Sequence, residues 1–115
     1  CGVNEKQSCG WGALKALKAL LAVPPEQRTP HIERAIKCGG LFLLRYDVAK
    51  ADFPYTEKIS SAWFKLGFPL SYWTDVLETL AILVTLGHGG DARLDEAYHW
   101  LLSKQNAEGR WKLEN

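Results

Sequence analysis

Methionine and long apolar runs are missing from this sequence, and neither sign of charge is in marked excess. No run approaches the roughly 20 apolar residues of a membrane-spanning helix, so we expect no transmembrane segment. The 14 Lys and Arg residues nearly balance the 13 Asp and Glu residues, which leaves a formal net charge of +1. Because nucleic-acid-binding proteins concentrate positive charge, this balance argues against a nucleic-acid partner.

Cysteine is scarce as well, with three residues, at positions 1, 9 and 38. An odd number without a close C-x-x-C pair favours reduced thiols over a disulfide framework, and therefore a cytoplasmic protein. Cys1 and Cys9 are also further apart than the ligand pairs of structural zinc sites, although a disulfide or a shared metal stays open for these two. We expect neither a metal nor a cofactor. Without an initiator Met, the sequence is expected to be part of a longer protein.

Two helices are predicted in the first half of the chain. The length of 115 residues and a hydrophobic content of 47% indicate one small domain with a single core. Residues 8–22 repeat leucine at helical spacing until a Pro-Pro pair stops the pattern. Thr29 followed by Pro30 is a typical helix start, and the second helix is expected to end near Tyr46.

Two more helices are predicted in the second half. Residues 71–86 are apolar nearly all round, which indicates a helix that is buried on two faces and ends at Gly87. Residues 91–105 carry a single apolar stripe, which is typical of an amphipathic helix at the periphery.

The two halves of the sequence also resemble each other. Gly39 and Leu43 in the first half occupy the positions of Ala97 and Leu101 in the second. Repetition at a spacing of 58 residues is typical of stacked helical hairpins. In such a stack no single hairpin can bury its apolar face alone. Two unrelated apolar hairpins are the alternative. The predicted fold is all-α, with two antiparallel helical hairpins.

The connection between the hairpins, residues 47–70, is long for a compact domain. It has too many aromatic residues for a solvated linker, so we expect it to be ordered and packed over the core. Aromatic residues in and just beyond it form a candidate site for an apolar ligand: Trp63, Phe64, Phe68, Tyr72 and Trp73. Such a wall can hold an isoprenoid chain or stabilise a cation. The alternative, which we favour, is that the same side chains fill the core. In either arrangement Trp63 and Trp73 should be largely inaccessible to water.

The stretch AYHWLLSKQNAEGRW near the C-terminus carries a recognisable pattern. A small residue, an aromatic, an aliphatic, a Gln, a Gly and a Trp recur at fixed intervals: Ala97, Trp100, Leu101, Gln105, Gly109 and Trp111. This pattern resembles the QW motif of the terpenoid cyclases and protein prenyltransferases. GGLFLLRYD in the first hairpin is a degenerate copy, with Asp47 in place of the Gln. The specific part of the resemblance is therefore confined to the last hairpin.

The resemblance implies an α/α toroid, of which the two hairpins form an arc with the first and third helices inside. On that basis the hairpins occupy about 8–46 and 71–105, the aromatic loop 47–70 and the QW turn 106–115. In the family, the Gln bonds free backbone groups at a neighbouring helix end, and the Trp stacks on the Gln. Gln105 is therefore expected to act as such a staple. The alternative is a solvent-facing Gln at a frayed helix end.

Catalytic motifs of that family are absent from this sequence. Neither the D-x-D-D cluster that protonates alkenes nor the D-D-x-x-D motif that holds a diphosphate through magnesium occurs. The zinc set of prenyltransferases needs a Cys two residues after its Asp, but Leu77 is the residue at that distance from Asp75. Asp75 is thus a weak catalytic candidate. The alternative is that it caps its own helix or bonds the loop.

Together these features resemble bacterial squalene-cyclase-like proteins, whose activity is commonly unassigned. The leading hypothesis is a structural module of that superfamily, part of a larger toroid, with isoprenoid or other apolar-ligand binding as an added role. One alternative is part of a prenyl-transferring or triterpene-cyclising enzyme whose catalytic residues lie outside this chain. Another is a helical-repeat scaffold for protein partners. The expected partners are the remainder of the toroid or a second copy of the chain, and an isoprenoid-like ligand.

Overall fold

The computed structural model describes residues 9–45, 47–50, 60–71 and 73–114. Within these ranges the chain forms the α-helices α1 (Gly10–Leu21), α2 (Pro30–Arg45), α3 (Val76–Thr85) and α4 (Asp95–Ser103), and short 3-10 turns at Pro25–Gln27, Ser61–Phe64 and Ala92–Leu94. No strand occurs in this part of the chain, and an isolated bridge joins Gln105 to Trp111. The predicted all-α class is confirmed. The arrangement of the hairpins as an arc of a toroid stays a prediction.

Arg28 and Gly39 contribute to the packing of α1 against α2 in the first hairpin. Arg28 donates from Nε to the carbonyl oxygen of Val23 at 2.9 Å and from Nη2 to that of Leu21 at 3.1 Å, so it satisfies carbonyl groups at the end of α1. Gly39 of α2 lies so close to Leu17 of α1 that a Cβ there would be 2.9 Å from a leucine methyl. The close approach of the two helices therefore depends on glycine at this position.

α2 begins where the sequence predicts. Thr29 Oγ1 accepts a hydrogen bond from the backbone N–H of Ile32 at 3.3 Å, and Pro30 is the first helical residue. This is the arrangement of an N-cap followed by a proline that needs no hydrogen-bond partner for its nitrogen. The helix extends to Arg45, and the predicted end at Tyr46 lies outside the described residues.

α3 is shorter than predicted, since it begins at Val76 rather than near residue 71. Its N-cap is Asp75, whose Oδ1 accepts a hydrogen bond from the backbone N–H of Glu78 at 2.8 Å. The helix ends where Gly87 predicts. That glycine has a φ of +90°, and the next residue, His88, donates its N–H to the carbonyl oxygen of Leu83 at 2.9 Å.

The expected burial of α3 on two faces is wrong for the described chain. One face is in the core, through Val76, Leu80 and Leu83. On the other face Leu77 is 44% exposed and Val84 is 52% exposed, and Ala81 between them is exposed as well. We call Leu77, Ala81 and Val84 the α3 face. An apolar helix with one uncovered face is unusual in a monomeric protein.

α4 is also shorter than predicted, because the chain first makes a 3-10 turn. Asp91 caps that turn rather than α4, with Oδ1 accepting from the backbone N–H of Arg93 at 2.9 Å. The α-helix itself begins at Asp95. On the apolar stripe that the sequence predicts, Leu94 and Ala97 are fully buried, but Leu102 is exposed.

One hydrophobic core joins the four helices and the aromatic loop. Its fully buried side chains are Leu14, Leu17, Leu43, Val48, Trp63, Val76, Leu83, Leu94 and Ala97. α1 contacts both α2 and α3, and α3 contacts α4. Within the described ranges, none of the helices combines the length and the hydropathy that crossing a membrane requires.

Candidate functional site

The aromatic residues predicted to wall a ligand site are not all in one environment. Trp63 is 1% exposed, and its Nε1 donates to the carbonyl oxygen of Val48 at 2.8 Å, so its indole is part of the core. Phe68 is 77% exposed, which places it outside any wall formed by Trp63. Phe64 is half-buried, and Tyr72 lies outside the described residues. The expected inaccessibility to water holds for Trp63, whereas binding of a ligand by these residues stays a prediction.

Trp73 is half-buried, so its inaccessibility to water is only partial. Its indole nitrogen Nε1 is nevertheless buried, and no described residue accepts a hydrogen bond from it. A buried N–H group usually has a partner, because leaving it without one costs free energy.

The described second part of the aromatic loop, residues 60–70, is bound by charged side chains, and we call it the strap. Lys104 Nζ donates to the carbonyl oxygen of Phe64 at 2.9 Å. The N–H of Leu66 donates to Glu114 Oε2 at 2.8 Å, and the N–H of Gly67 donates to Asp75 Oδ2 at 3.1 Å. Neighbouring backbone groups of the strap are thus bound by side chains from three separate parts of the chain.

The residues of the QW pattern form a local turn after α4. Gln105 Nε2 donates to the carbonyl oxygen of Gly109 at 2.8 Å, and Gly109 has a φ of +77°. Asn106 Oδ1 accepts from the N–H groups of Glu108 and Arg110, at 3.0 and 2.9 Å. Only a residue that tolerates positive φ closes this turn without strain, which explains the glycine.

Among the described residues Gln105 bonds within its own turn, and the expected staple to a neighbouring helix end stays a prediction. The turn brings the Gly109 carbonyl within reach of the Gln105 amide, and the side chain is exposed. Trp111 makes the contact with a helix end instead, since its Nε1 donates to the carbonyl oxygen of Leu101 at 2.7 Å. That carbonyl belongs to the last turn of α4, where helices leave acceptors unpaired. Ala97 is buried within α4, and Trp100 is half-buried.

Lys104 connects this turn to the strap. Its Nζ lies 2.8 Å from both carboxylate oxygens of Glu114 and 4.7 Å from the centroid of the Trp100 ring. The ring of Phe64 packs edge-to-face with the same indole, with ring centroids 6.3 Å apart. The pKa of Glu114 is lowered by the hydrogen bond from Lys104 and by the one from the N–H of Leu66. The ionised carboxylate is therefore the form that holds the strap.

Asp75, the weak catalytic candidate, has the geometry of a cap and loop anchor. It is almost fully buried, and its two oxygens accept from the backbone N–H groups of Glu78 and Gly67. Burial is the main cause that raises its pKa, and the two backbone hydrogen bonds oppose that rise. This is the alternative that the sequence allowed for Asp75, with both the cap and the loop contact present.

Glu78 ties α3 to α1. Lys15 Nζ lies 3.0 Å from its carboxylate, and Lys18 Nζ and the Thr74 hydroxyl also donate to it. Burial acts to raise the pKa of Glu78, but these hydrogen bonds outweigh it, so the pKa lies below its ordinary value. Glu78 is the only charged residue in α3. The α3 face consequently carries no charge.

An open groove of about 510 Å3 lies between the end of α2 and the start of α4, lined by Leu44, Arg45, Asp47, Ala92, Arg93 and Glu96. Three of its charged side chains, of both signs, are paired with residues beside the groove. Lys50 Nζ lies 3.7 Å from Asp47 and from Glu96, and Arg93 pairs with Asp91 at 2.8 Å. The groove contains none of the predicted site residues.

Among the described residues, no three His, Cys, Asp or Glu side chains come together as a metal site requires. Cys9 and Cys38 have free thiols, and Cys1 lies outside the described ranges. The absence of a bound metal stays a prediction.

No family model, no curated protein and no solved structure matches this chain. The resemblance to the terpenoid cyclases and prenyltransferases therefore depends on the QW pattern alone.

Proposed function

We propose that this chain is a structural module of the terpenoid cyclase and prenyltransferase type, whose role is to pack against further helices in a larger α/α assembly. The observation that carries the proposal is the α3 face. α3 is apolar on both sides, yet the described chain covers only one of them. Exposed apolar surface on a helix of this kind marks a contact site.

The turn after α4 supports a structural role. Trp111 completes the end of α4, and Lys104 and Glu114 fix the strap over the core. These contacts hold segments of the chain together, and both oxygens of the Glu114 carboxylate are bound by Lys104. A module that serves as a building block needs its own elements fixed in this way before it can present a rigid surface.

A catalytic role is the less supported alternative. The two carboxyl groups at the start of α3 are already engaged, Asp75 with backbone N–H groups and Glu78 with Lys15, Lys18 and Thr74. General acid or base catalysis requires a carboxyl group within reach of a substrate. An enzyme in which the reacting groups lie outside this chain would still use the module as we propose.

Sedimentation velocity tests the proposal. The chain should associate reversibly at tens of micromolar, because the α3 face finds another apolar surface. Leu77→Glu together with Val84→Glu should return it to monomers, since burying an unpaired carboxylate is costly. The matched control is Leu102→Glu on α4, an exposed leucine outside the α3 face, which should leave association unchanged.

Circular dichroism spectra should show that all variants keep their helix content. A strict monomer of the unaltered chain at tens of micromolar would count against the proposal, as would association that the double substitution does not weaken.

A further inference from the structure

We infer that the α3 face binds a second copy of this chain, with the two α3 helices antiparallel and Ala81 at the two-fold axis. The inference depends on the proposed function, because it specifies what covers the same face. Three properties of the α3 face carry it: the order of its side chains, its lack of charge and its small central residue.

The exposed side chains of α3 are self-complementary in an antiparallel pair. Leu77 precedes Ala81 by one helical turn, and Val84 follows it at nearly the same distance. When two copies of α3 run in opposite directions about Ala81, Leu77 of each copy lies opposite Val84 of the other. A two-fold axis produces this reciprocal arrangement, in which the same patch serves both partners.

The small residue at the centre lets the helices approach closely. Side chains at this i, i+4, i+7 spacing form a seam whose two helices cross at about 20°, with axes about 8 to 10 Å apart. Ala81 at the crossing point favours the shorter distance. The Thr85 hydroxyl donates back to the carbonyl oxygen of Ala81 at 2.9 Å, so this polar group at the edge of the seam has its partner within the helix.

The absence of charged side chains on the α3 face favours an uncharged partner surface. Glu78 is the only charged side chain of α3, and it is paired with Lys15 and Lys18 of α1. Two copies can therefore meet there without repulsion between like charges. An acidic or basic partner would lose hydration of its charges without gaining an ion pair on this face.

The contact should be weak. A single pair of ten-residue helices buries less than the roughly 1,200 Å2 below which protein interfaces are typically transient. We therefore expect dimers that form at micromolar or higher concentration and exchange quickly, in the range where sedimentation and cross-linking both detect them.

Disulfide cross-linking tests the geometry. In a chain with Cys1, Cys9 and Cys38 replaced by Ser, Ala81→Cys should form a covalent dimer on mild oxidation, because residues at the axis bring their Cβ atoms within about 3.5 to 4.5 Å. A mixture of Leu77→Cys and Val84→Cys chains should give mixed dimers, whereas either variant alone should cross-link several-fold less. Leu102→Cys, exposed on α4, is the control for random collision.

The outcomes separate this inference from the proposed function. If Leu77→Glu with Val84→Glu abolishes association but Ala81→Cys cross-links no faster than Leu102→Cys, the α3 face is an interface and the two-fold geometry is wrong. If α3 packs head-to-tail on a different helix of the next copy, the chain should form oligomers larger than dimers. Such oligomers would also overturn the inference. If the unaltered chain does not associate at all, both fail. The Leu77→Cys and Val84→Cys mixture keeps the geometry testable should Ala81→Cys lose helix content.

Discussion

Leu66 and Glu114, 48 residues apart, exchange two hydrogen bonds: the N–H of Leu66 donates to Glu114 Oε2 at 2.8 Å, and the N–H of Glu114 donates to the carbonyl oxygen of Leu66 at 2.8 Å. Lys104 strengthens the same contact, because its ammonium donates both to the Glu114 carboxylate and to the carbonyl oxygen of Phe64. The segment after the QW pattern is therefore fixed to the strap, and through it to the buried Trp63.

Glu114→Ala should destabilise the chain by about 1 kcal/mol, because it leaves the N–H of Leu66 without its acceptor and removes the carboxylate from the Lys104 ammonium, which keeps the carbonyl oxygen of Phe64. We expect no more than that, since the carboxylate is partly exposed and water can replace it. Urea unfolding followed by circular dichroism measures the change. Glu108→Ala is the control, an exposed carboxylate in the neighbouring turn that should change stability by less than about 0.5 kcal/mol. Equal effects of the two substitutions would contradict a specific anchor.

The contacts of Glu78 predict how stability changes in acid. Its folded pKa lies below the ordinary value of 4.5, so its contribution is complete above that pH and is lost as the pH falls through the folded pKa. The advantage of the unaltered chain over Glu78→Gln should therefore be largest near neutral pH and shrink below pH 4.5. Unfolding free energies measured from pH 7 to about pH 3 give this difference.

The contribution of Asp75 to stability changes with pH in the opposite direction to that of Glu78. Its pKa is raised by burial, so its contribution is present below the ordinary value of 3.8 and is lost as the pH rises through the folded pKa. Asp75 therefore cannot explain a loss of stability in acid. A difference between the unaltered chain and Glu78→Gln that stays constant with pH would contradict the assigned role of Glu78.

Several parts of the fold follow from local signals in the sequence. Thr29 and Pro30 determine the start of α2, and Gly87 determines the end of α3, because each acts on groups within a few residues. The start of α3 was harder to predict. Apolar spacing continues upstream of Asp75, but the capping carboxylate defines where the helix begins.

The candidate site was less predictable because its contacts are distant in sequence. No local pattern shows that Glu114 reaches Leu66 or that Lys104 reaches Phe64. The residues of the QW pattern lie in α4 and in the turn after it, yet the pattern does not reveal which side chain bonds to which group. Exposure of Phe68 beside the buried Leu66 likewise depends on how the strap is anchored rather than on its composition.

The contacts in the turn after α4 predict that substitutions of Gln105 and Trp111 lower stability by unequal amounts. Gln105→Ala should cost less than about 0.5 kcal/mol, because the exposed amide bonds only a carbonyl that water can reach. Trp111→Ala should cost about 1 to 3 kcal/mol, since it removes the packing of an indole together with one of the two hydrogen bonds that the Leu101 carbonyl accepts. Urea unfolding of both variants measures the two losses of unfolding free energy and shows which is larger. A larger loss for Gln105→Ala would restore the staple that the sequence resemblance implies.

Ligand binding gives the last prediction. An isoprenoid such as farnesol needs a cavity, but Trp63 fills the core and its indole N–H is bound to the Val48 carbonyl oxygen. We therefore expect farnesol to cause neither a saturable change in tryptophan fluorescence nor a rise in melting temperature, which ligand binding to the folded state would produce. Trp73→Ala is the informative variant, because Trp73 is half-buried and its Nε1 has no acceptor among the described residues. Saturable binding by the unaltered chain that Trp73→Ala abolishes, while helix content is kept, would contradict the filled core and assign a ligand site to the aromatic residues beside α3.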